Sequence, residues 1–414
     1  MEPRSVFLNF EQFSFDRRID AGVKSVGYTT PTPIQQKAIP VVLQGRDILG
    51  LAQTGTGKTA AFVLPILQRL SQGPRGKVRA LIVAPTRELA EQIHQETVKL
   101  GRDTKVRSVT IYGGVSKGPQ LAALRRGVEI VVACPGRLLD HVNAGAIDLS
   151  HVEVLVLDEA DRMCDMGFLP DIRRIIRQVP KKRQTLFFSA TMPKDIRALA
   201  DKILTNPKTV QIGTIAPAET VSHALYPVPE DRRKELLIAM LRRTATSRVL
   251  IFTRTKHRAR SLAVYMKKQG YRAAALQGNM TQNQRQQAIN GFRNGKVDML
   301  VATDIAARGI DVSQISHVIN FDMPDTVDAY THRIGRTGRI GRSGEAFTFA
   351  IRGDSMMVRQ IEKTLGTRLE RRRLPDFEYS GGFDPERQFP QRSSSSSSLP
   401  RSFGSRGSRR RSYR

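Results

Sequence analysis

Short apolar runs alternate with longer amphipathic stretches along the first half of the chain. Between about residues 46 and 212 the apolar runs lie at 48–51, 80–84, 109–112, 129–133, 154–157 and 185–188. Uninterrupted apolar runs of this length, separated by helical segments, are typical of parallel strands that helices cover on both faces. The pattern predicts that residues 1–212 form an α/β domain built on a parallel sheet.

The same alternation restarts in the second half of the chain. Its apolar runs lie at 248–252, 273–276, 299–302, 317–321 and 346–349. The segment before them, residues 213–221, is polar and contains a proline, as a linker does. We therefore predict a second α/β domain with a parallel sheet over residues 222–370.

Beyond residue 370 the composition changes. Residues 371–414 contain eleven arginines, four acidic residues and the serine run 393–398. A segment with so little apolar content cannot offset the entropy cost of ordering, so we predict a disordered basic tail that binds a polyanion. The alternative is a solvated tail without a partner, because charge runs often have none.

Charge favours a polyanionic partner for the whole chain. The 414 residues carry a net charge of +29, and binding to phosphates would release their counterions. Charge alone does not distinguish RNA from DNA or an anionic membrane surface. The sequence lacks a run approaching the ~20 apolar residues of a membrane span, and its first residues lack a signal-peptide core, so we expect a soluble, cytoplasmic protein without membrane contact. Cys134 and Cys164 are expected to be reduced thiols.

One stretch between the first apolar run and the following helical segment has the composition of a phosphate-binding loop. Its small residues place backbone N–H groups at the start of a helix, where a phosphate can be held. Lys58 would reach the outer phosphates of a nucleotide and Thr59 would bind Mg²⁺. Because Ala52 stands where the general pattern has glycine, an ordinary turn is the alternative. The stretch comprises Ala52, Gln53, Thr54, Gly55, Thr56, Gly57, Lys58 and Thr59.

Two carboxylates follow the apolar run 154–157. Asp158 would lie beside the Mg²⁺ that Thr59 holds, partly through water, and Glu159 would orient and deprotonate the attacking water. An acidic pair at a strand end is common by itself. About a hundred residues after a phosphate loop, it indicates the second half of a nucleoside triphosphatase site.

The run Asp158-Glu159-Ala160-Asp161 spells the DEAD box, and the chain resembles the DEAD-box family of ATP-dependent RNA helicases over roughly residues 8–370. The resemblance implies two RecA-like domains, ATP in the cleft between them and RNA across both. In this family an alanine is usual at the position of Ala52. The short core followed by a basic tail resembles the bacterial RhlE-like branch.

Residues 27–35 resemble the Q motif of the family. The side-chain amide of Gln35 offers one donor and one acceptor, which suits the N6 donor and N7 acceptor of adenine. The resemblance assigns Phe10 to stacking on the base, although Phe13 and Phe15 are near enough to take that role, and any of the three could belong to the core.

The resemblance also assigns contacts with RNA and between the domains. RNA contacts fall on Arg87, Gly114, Arg137, Thr255, Gln277 and Thr303, while Cys134 replaces a usual threonine and leaves a hydroxyl contact in doubt. Coupling between the domains falls on Asp161, Ser189, Thr191, Asp304 and His332. Asp311 is assigned to the ribose, and Arg336 and Arg339 to the γ-phosphate, where arginine stabilises transition-state charge.

The predicted activity is RNA-stimulated ATP hydrolysis coupled to local unwinding of short RNA duplexes or remodelling of RNA–protein complexes. A DNA translocase could use the same site, and ATPase stimulation by single-stranded DNA would favour it. An ATP-gated RNA clamp or annealing protein is a further alternative. Such a protein could bind RNA through charge alone and would not need the intact set of Lys58, Asp158, Glu159 and two arginines. We expect a monomeric core, with ribosome-assembly or RNA-decay proteins as possible partners.

Overall fold

The computed structural model describes residues 9–52, 55–212, 221–244, 246–307, 315–338, 344–379 and 389. The predictions for Gln53, Thr54, Asp311 and Arg339 therefore lie outside the described residues, as do those for most of the linker and of the basic tail. Within the described ranges no helix combines the length and apolar content that crossing a membrane requires.

The first domain contains a seven-stranded parallel sheet with the order β3-β4-β2-β5-β6-β1-β7. Its strands are β1 (Ile48–Leu51), β2 (Ala80–Val83), β3 (Ser108–Ile111), β4 (Ile130–Ala133), β5 (Val154–Leu157), β6 (Gln184–Ser189) and β7 (Lys208–Gln211). Its helices are α1 (Arg17–Ser25), α2 (Pro33–Leu43), α3 (Lys58–Leu70), α4 (Arg87–Leu100), α5 (Gly118–Arg125), α6 (Pro135–Asn143), α7 (Ala160–Asp165), α8 (Leu169–Ile176) and α9 (Lys194–Ile203).

The second domain repeats this topology strand for strand, with the parallel order β10-β11-β9-β12-β13-β8-β14. Its strands are β8 (Val221–Pro227), β9 (Val249–Phe252), β10 (Ala273–Leu276), β11 (Met299–Ala302), β12 (His317–Asn320), β13 (Gly344–Ala350) and β14 (Glu370–Arg371). Its helices are α10 (Arg233–Arg243), α11 (Lys256–Lys268), α12 (Gln282–Arg293), α13 (Asp304–Ala307), α14 (Val327–Ile334) and α15 (Ser355–Leu365).

Helices cover both faces of each sheet, as the uninterrupted apolar runs indicate. In β5, Val154 and Val156 belong to the core on one face, whereas Leu155 and Leu157 belong to the core on the other. All four side chains are fully buried. The predicted fold class, two α/β domains with parallel sheets, is confirmed.

The predicted domain boundaries are wrong at two points. Val221, assigned to the linker, begins β8 and is buried. Arg371, assigned to the tail, lies in β14, which pairs with β8. Residues 372–379, which we call the C-terminal strap, follow the second domain closely, because Leu374 and Phe377 pack against its core. Because the segment is rich in arginine, its composition did not reveal that Leu374 and Phe377 pack against the core.

Ion pairs and hydrogen bonds fasten the strap to α10 and the turn before it. Arg243 pairs with Asp376 at 3.1 Å, and Arg232 donates to the carbonyl of Glu378 at 3.1 Å. Phe389 is also buried in the second domain. The prediction of a disordered tail is therefore wrong for residues 371–379, and its remainder lies outside the described residues except Phe389.

Candidate functional site

The loop between β1 and α3 has the backbone shape of a phosphate-binding loop. Gly55 and Gly57 have φ angles of 87° and 92°, in the left-handed region that glycine tolerates best. Gly57 caps the 13-residue helix α3, so the backbone N–H groups of its first turn face the loop. Lys58 is buried, and its Nζ donates to the carbonyl of Ala52 at 2.8 Å. The side chain of Lys58 thus spans the loop and joins its end to its first residue.

Gln35 joins the Q motif to this loop. Its Oε1 accepts from the backbone N–H of Thr32 at 2.8 Å, and its Nε2 donates to the carbonyl of Gly57 at 3.1 Å. A Cβ on Gly57 would lie only 2.7 Å from that Nε2, so a larger residue would disrupt the contact. The structure thus links Gln35 to the phosphate loop, and its selection of adenine stays a prediction.

The three phenylalanines proposed near the base are all part of the first-domain core. Phe10, Phe13 and Phe15 are 5%, 8% and 6% exposed. Phe10 stacks on Tyr28, with ring centroids 6.0 Å apart and an interplanar angle of 19°. Burial therefore does not single out Phe10, and its stacking on adenine stays a prediction.

The acidic pair follows β5, and its first member, Asp158, lies beside the lysine of the phosphate loop. Asp158 is buried, and its Oδ1 lies 3.9 Å from Nζ of Lys58. Burial raises the pKa of Asp158, while Lys58 opposes that rise. Thr59, at the start of α3, is half-buried. A buried carboxylate and a hydroxyl beside a phosphate loop are ligands that suit Mg²⁺, so these residues fit the predicted metal.

Glu159 occupies an unusual backbone conformation. Its φ and ψ are both 52°, in the left-handed region that non-glycine residues rarely adopt. Its Oε2 accepts from Nη1 of Arg162 at 2.6 Å, and both side chains are buried. Non-glycine residues in this conformation cluster at functional sites. Arg162, which the sequence interpretation did not single out, thus fixes the carboxylate of the proposed base.

The structure brings Asp161 together with both residues of the predicted coupling motif. Its backbone N–H donates to Oγ of Ser189 at 3.2 Å. Its Oδ2 accepts from the backbone N–H and the hydroxyl of Thr191, at 2.8 and 3.0 Å. The end of β6 is therefore fastened to the acidic motif.

Side chains from both domains line a cavity of about 320 Å³ at the cleft. The first domain contributes Arg162 and Asp165, and the second contributes His332 and Arg336 among others. Arg336 is buried, and its Nε donates to the carbonyl of His332 at 3.3 Å. His332 and Arg162 line this cavity together, and burial, and next Arg162, lower the pKa of His332.

Asp304, predicted to couple the domains, has its ion-pair partner within its own domain. Its two oxygens accept from Nε and Nη2 of Arg333, both at 2.6 Å. Arg333 is buried and also lies 5.1 Å over the ring of Phe252. Asp304 therefore fixes Arg333 beside the cleft cavity, a role for Arg333 that sequence reasoning missed.

The predicted RNA contacts of the first domain gather at the carboxyl ends of three adjacent strands. Arg87, Gly114 and Arg137 follow β2, β3 and β4, which neighbour one another in the sheet. Arg87 covers Gly114 so closely that a Cβ there would lie 2.2 Å from its Nη1. Cys134 precedes α6 and is buried, and burial raises the pKa of its thiol to about 12. The DEAD-box pattern usually has a threonine at this position. Cys134 therefore offers a protonated thiol where that pattern has a hydroxyl.

The predicted RNA contacts of the second domain occupy the matching strand ends. Thr255, Gln277 and Thr303 follow β9, β10 and β11, which are also adjacent. Thr255 caps α11 by accepting from the backbone N–H of Arg258 at 3.2 Å, and Oε1 of Gln277 accepts from that of Asn279 at 2.7 Å. The two halves of the predicted RNA surface are thus built alike.

A contact between the domains joins the first turns of α4 and α12. Nη2 of Arg285 lies 2.6 Å from Oε1 of Glu88, and both side chains are largely buried. Beside this pair, Nη1 of Arg87 donates to Oε1 of Gln282 at 3.1 Å. Sequence reasoning missed Gln282 and Arg285, because no local pattern marks a pair whose members are 197 residues apart.

A phosphate loop beside a buried carboxylate, together with buried arginines of a second parallel-sheet domain that line a cavity at the cleft, is typical of a two-domain nucleoside triphosphatase. The DEAD/DEAH box helicase model matches residues 32–199, and the helicase conserved C-terminal domain model matches residues 232–341. The chain belongs to the DEAD-box family of ATP-dependent RNA helicases.

Named relatives agree with this assignment. The ATP-dependent RNA helicase CshA of Listeria monocytogenes is 42% identical over 370 residues, which cover 89% of this chain and 71% of CshA. The DEAD-box helicase RhpA of Helicobacter pylori is 41% identical over 368 residues, covering 89% of this chain and 74% of RhpA. These relatives support the family and leave the RhlE-like branch open.

Solved structures support the RecA-like fold of both domains. S. cerevisiae Dbp5 bound to RNA and ADP BeF3 matches with a TM-score of 0.80 and 30% identity, over 88% of this chain and 95% of that one. Mss116p bound to single-stranded RNA and AMP-PNP matches with a TM-score of 0.79 and 27% identity, over 90% and 81% of the chains. Both matches extend over the two domains together.

Proposed function

We propose that ATP and single-stranded RNA jointly stabilise the closed arrangement of the two domains, and that hydrolysis in this state is coupled to local unwinding of short RNA duplexes. The contact that carries the proposal is the buried ion pair between Glu88 and Arg285, which exists only while the domains are together. Two ligands that both favour the closed conformation bind cooperatively, because binding of one raises the population of the conformation to which the other binds.

Residues of both domains form the proposed ATP site. Gln35 selects adenine, the loop 52–59 and Lys58 hold the phosphates, and Thr59 and Asp158 hold Mg²⁺, partly through water. When bound, Mg²⁺ neutralises charge on the phosphates. The described residues contain no group of three or more His, Cys, Asp or Glu side chains suited to a metal. Mg²⁺ usually combines one or two carboxylates with substrate phosphates, which Asp158 and bound ATP would supply.

The chemistry needs a base from the first domain and positive charge from the second. Glu159, fixed by Arg162 at 2.6 Å, orients water and accepts its proton. Arg336, buried beside the cleft cavity, stabilises the charge that develops on the phosphates. Arg339 would assist it and Asp311 would contact the ribose, although both lie outside the described residues.

RNA would lie across the matching strand ends of the two sheets. Small residues, backbone N–H groups and arginines at these ends suit the sugar-phosphate backbone, which carries no direct sequence information. Binding is therefore expected to be independent of sequence, with the 2′-hydroxyl distinguishing RNA from DNA. Equal ATPase stimulation by single-stranded DNA and RNA would contradict this part of the proposal.

Reversing one charge of the Glu88–Arg285 pair is expected to weaken the cooperation between ATP and RNA. Glu88→Arg or Arg285→Glu places two like charges at a largely buried contact, and uncompensated buried charge costs ~3–5 kcal/mol. We expect the RNA concentration for half-maximal ATPase activity to rise at least ~10-fold in each single variant. Steady-state ATPase assays over a range of RNA concentrations measure this.

The double variant Glu88→Arg/Arg285→Glu provides the control. It restores opposite charges and is expected to recover most of the lost RNA affinity. Recovery in the double variant distinguishes a contact across the cleft from damage within either domain. If the double variant is as weak as the two single variants combined, the pair does not stabilise the closed state.

The basic tail beyond the strap is proposed to tether RNA near the core. Removing residues 390–414, while keeping the strap and the buried Phe389, is expected to weaken RNA binding several-fold at low salt and less at high salt. Binding isotherms at two salt concentrations test this against the full chain. Equal affinity and unwinding of both proteins at physiological salt would show that the tail is only a solvated extension.

The proposal extends to cellular context. Because ATP and RNA are substrates of the cell interior, we place the protein in the cytoplasm, with a monomeric core and with ribosome-assembly or RNA-decay proteins as partners. The RhlE-like branch is proposed on the short core and basic tail. Crosslinking in cells followed by sequencing of the bound RNA identifies the target, and ribosomal RNA precursors would favour the assembly role.

A further inference from the structure

The loop that carries Gly113 and Gly114 lies on the first-domain side of the proposed RNA surface. We call residues 112–116, between β3 and α5, the diglycine loop. Gly114 has a φ of 76°, and both it and Val115 are exposed. An exposed loop that is to grip a sugar-phosphate backbone must be held in place by its neighbours, because ordering it costs conformational entropy.

A buried hydrogen-bond relay fixes the start of this loop to α6. Nε2 of Gln120 donates to the carbonyl of Tyr112 at 3.0 Å, and Oε1 of Gln120 lies 3.0 Å from Nε2 of His141. His141 and Gln120 are only 1% and 5% exposed. Because the amide nitrogen of Gln120 is the donor to Tyr112, its oxygen is the acceptor, and Nε2 of His141 must carry a proton.

The surroundings of His141 favour the neutral imidazole that the relay uses. Burial lowers the pKa of His141, and Arg137 and Lys117 lower it further, whereas Asp140 opposes them. A neutral imidazole has one N–H donor, and the contact with Gln120 places it on Nε2. The relay therefore has one consistent set of donors and acceptors from His141 to the carbonyl of Tyr112.

A second hydrogen bond fixes the other side of the loop to the same helix. Nη1 of Arg137 donates to the carbonyl of Val115 at 3.2 Å. Arg137 precedes His141 by about one turn of α6. The phenol of Tyr112 in addition interacts with Glu91 of α4, the helix that begins with Arg87. The diglycine loop is thus tied to both helices that carry predicted RNA-binding arginines.

We propose that His141 and Gln120 are positioning residues for RNA binding, which act by holding the diglycine loop and Arg137 in one arrangement. The inference rests on the proposed function, in that Gly114 and Arg137 contact RNA there. His141 and Gln120 are buried and act through the loop. Their loss should therefore change the response to RNA without changing the response to ATP.

The test uses the full chain and measures steady-state ATPase activity against the concentrations of a single-stranded RNA homopolymer and of ATP. His141→Leu leaves the buried acceptor of Gln120 without its donor. We expect the half-saturating RNA concentration to rise about tenfold, the factor that an unpaired buried polar group typically costs. The kcat at saturating RNA and the KM for ATP should stay within about twofold of the native values, because the ATP site is unchanged.

His141→Gln is the matched conservative variant, because its amide nitrogen can replace the Nε2–H donor. It should return the half-saturating RNA concentration to within about twofold of the native value, if hydrogen bonding is what matters. Gln120→Met, which removes both bonds at similar side-chain size, should reproduce the effect of His141→Leu and serves if that variant fails to fold. His151→Leu, on the exposed surface, should change nothing.

Two results would overturn the inference. One is a His141→Leu protein whose thermal stability falls while its half-saturating RNA concentration stays native. The other is a His141→Gln protein that binds RNA as weakly as His141→Leu. Arg137→Ala separates this inference from the proposed function: if Arg137→Ala also leaves the RNA dependence native, the assigned RNA surface itself is wrong.

Discussion

Replacing Glu159 by glutamine is expected to reduce RNA-stimulated ATP hydrolysis by ~10²- to 10⁴-fold, the range that general-base catalysis usually contributes. The variant keeps the size and shape of the side chain and loses the carboxylate that accepts a proton. Because Lys58, Thr59 and Asp158 remain in place, ATP and RNA should still bind, and the closed complex should accumulate. Single-turnover hydrolysis and RNA-binding assays with the same protein measure both effects.

Glu235→Gln, at an exposed position of α10, is the matched control and should hydrolyse ATP like the native protein. Glu159→Gln also changes the partner of Arg162, which lies 2.6 Å from the carboxylate. Arg162→Gln therefore belongs in the same experiment, and a smaller loss is expected from it, because it misplaces the base without removing it. Unchanged hydrolysis by Glu159→Gln would rule out the proposed mechanism.

Removing the guanidinium of Arg336 is expected to lower kcat by ~10³-fold, as loss of a phosphate-directed arginine does in other nucleoside triphosphatases. The charge acts on the transition state more than on bound ATP, so Arg336→Ala should change the KM for ATP little. The effect should be confined to the RNA-stimulated rate, because in the proposed mechanism only the closed state brings the second domain against the phosphate loop. Steady-state kinetics with and without RNA measure kcat and the KM for ATP separately.

Arg359→Ala provides the comparison for charge alone, since Arg359 is exposed on α15. Arg336 is buried, so thermal unfolding of Arg336→Ala must be measured alongside its kinetics. A folded Arg336→Ala protein with native kcat would mean that the second domain does not supply catalytic charge. A rise in KM for ATP at unchanged kcat would assign Arg336 to ground-state binding instead.

The apolar runs predicted the central strands well, because their residues are buried on both faces and leave an uninterrupted signal. β5 and β10 begin and end at the predicted residues, 154–157 and 273–276. The strands missed were β7, β8 and β14, which lie at or next to a sheet edge. In β7 only Val210 is buried. The strand therefore contains no apolar run, and the pattern of apolar residues does not reveal it.

The candidate site divides in the same way between what short motifs carry and what the tertiary fold adds. Lys58, Asp158 and Glu159 fall in contiguous motifs, and the structure brings Asp158 to within 3.9 Å of Lys58 in the phosphate loop. The pair Glu88–Arg285 depends on the tertiary fold, which spacing alone does not specify, whereas Glu159–Arg162 has the (i,i+3) spacing of a local helical pair, a signal that could have marked it. The motif that contains Asp304 predicts a residue that couples the domains. In the structure its ion-pair partner, Arg333, lies in its own domain.

The two-residue strand β14 has a consequence for the solution behaviour of the protein. It lies at the end of the second sheet and covers part of the edge of β8. Open strand edges invite pairing between chains, whereas a very short edge strand with charged side chains discourages it. Glu370, Arg371 and Arg372 supply such charges. A protein shortened before Glu370 would expose a seven-residue edge and should aggregate on concentration, whatever its affinity for RNA.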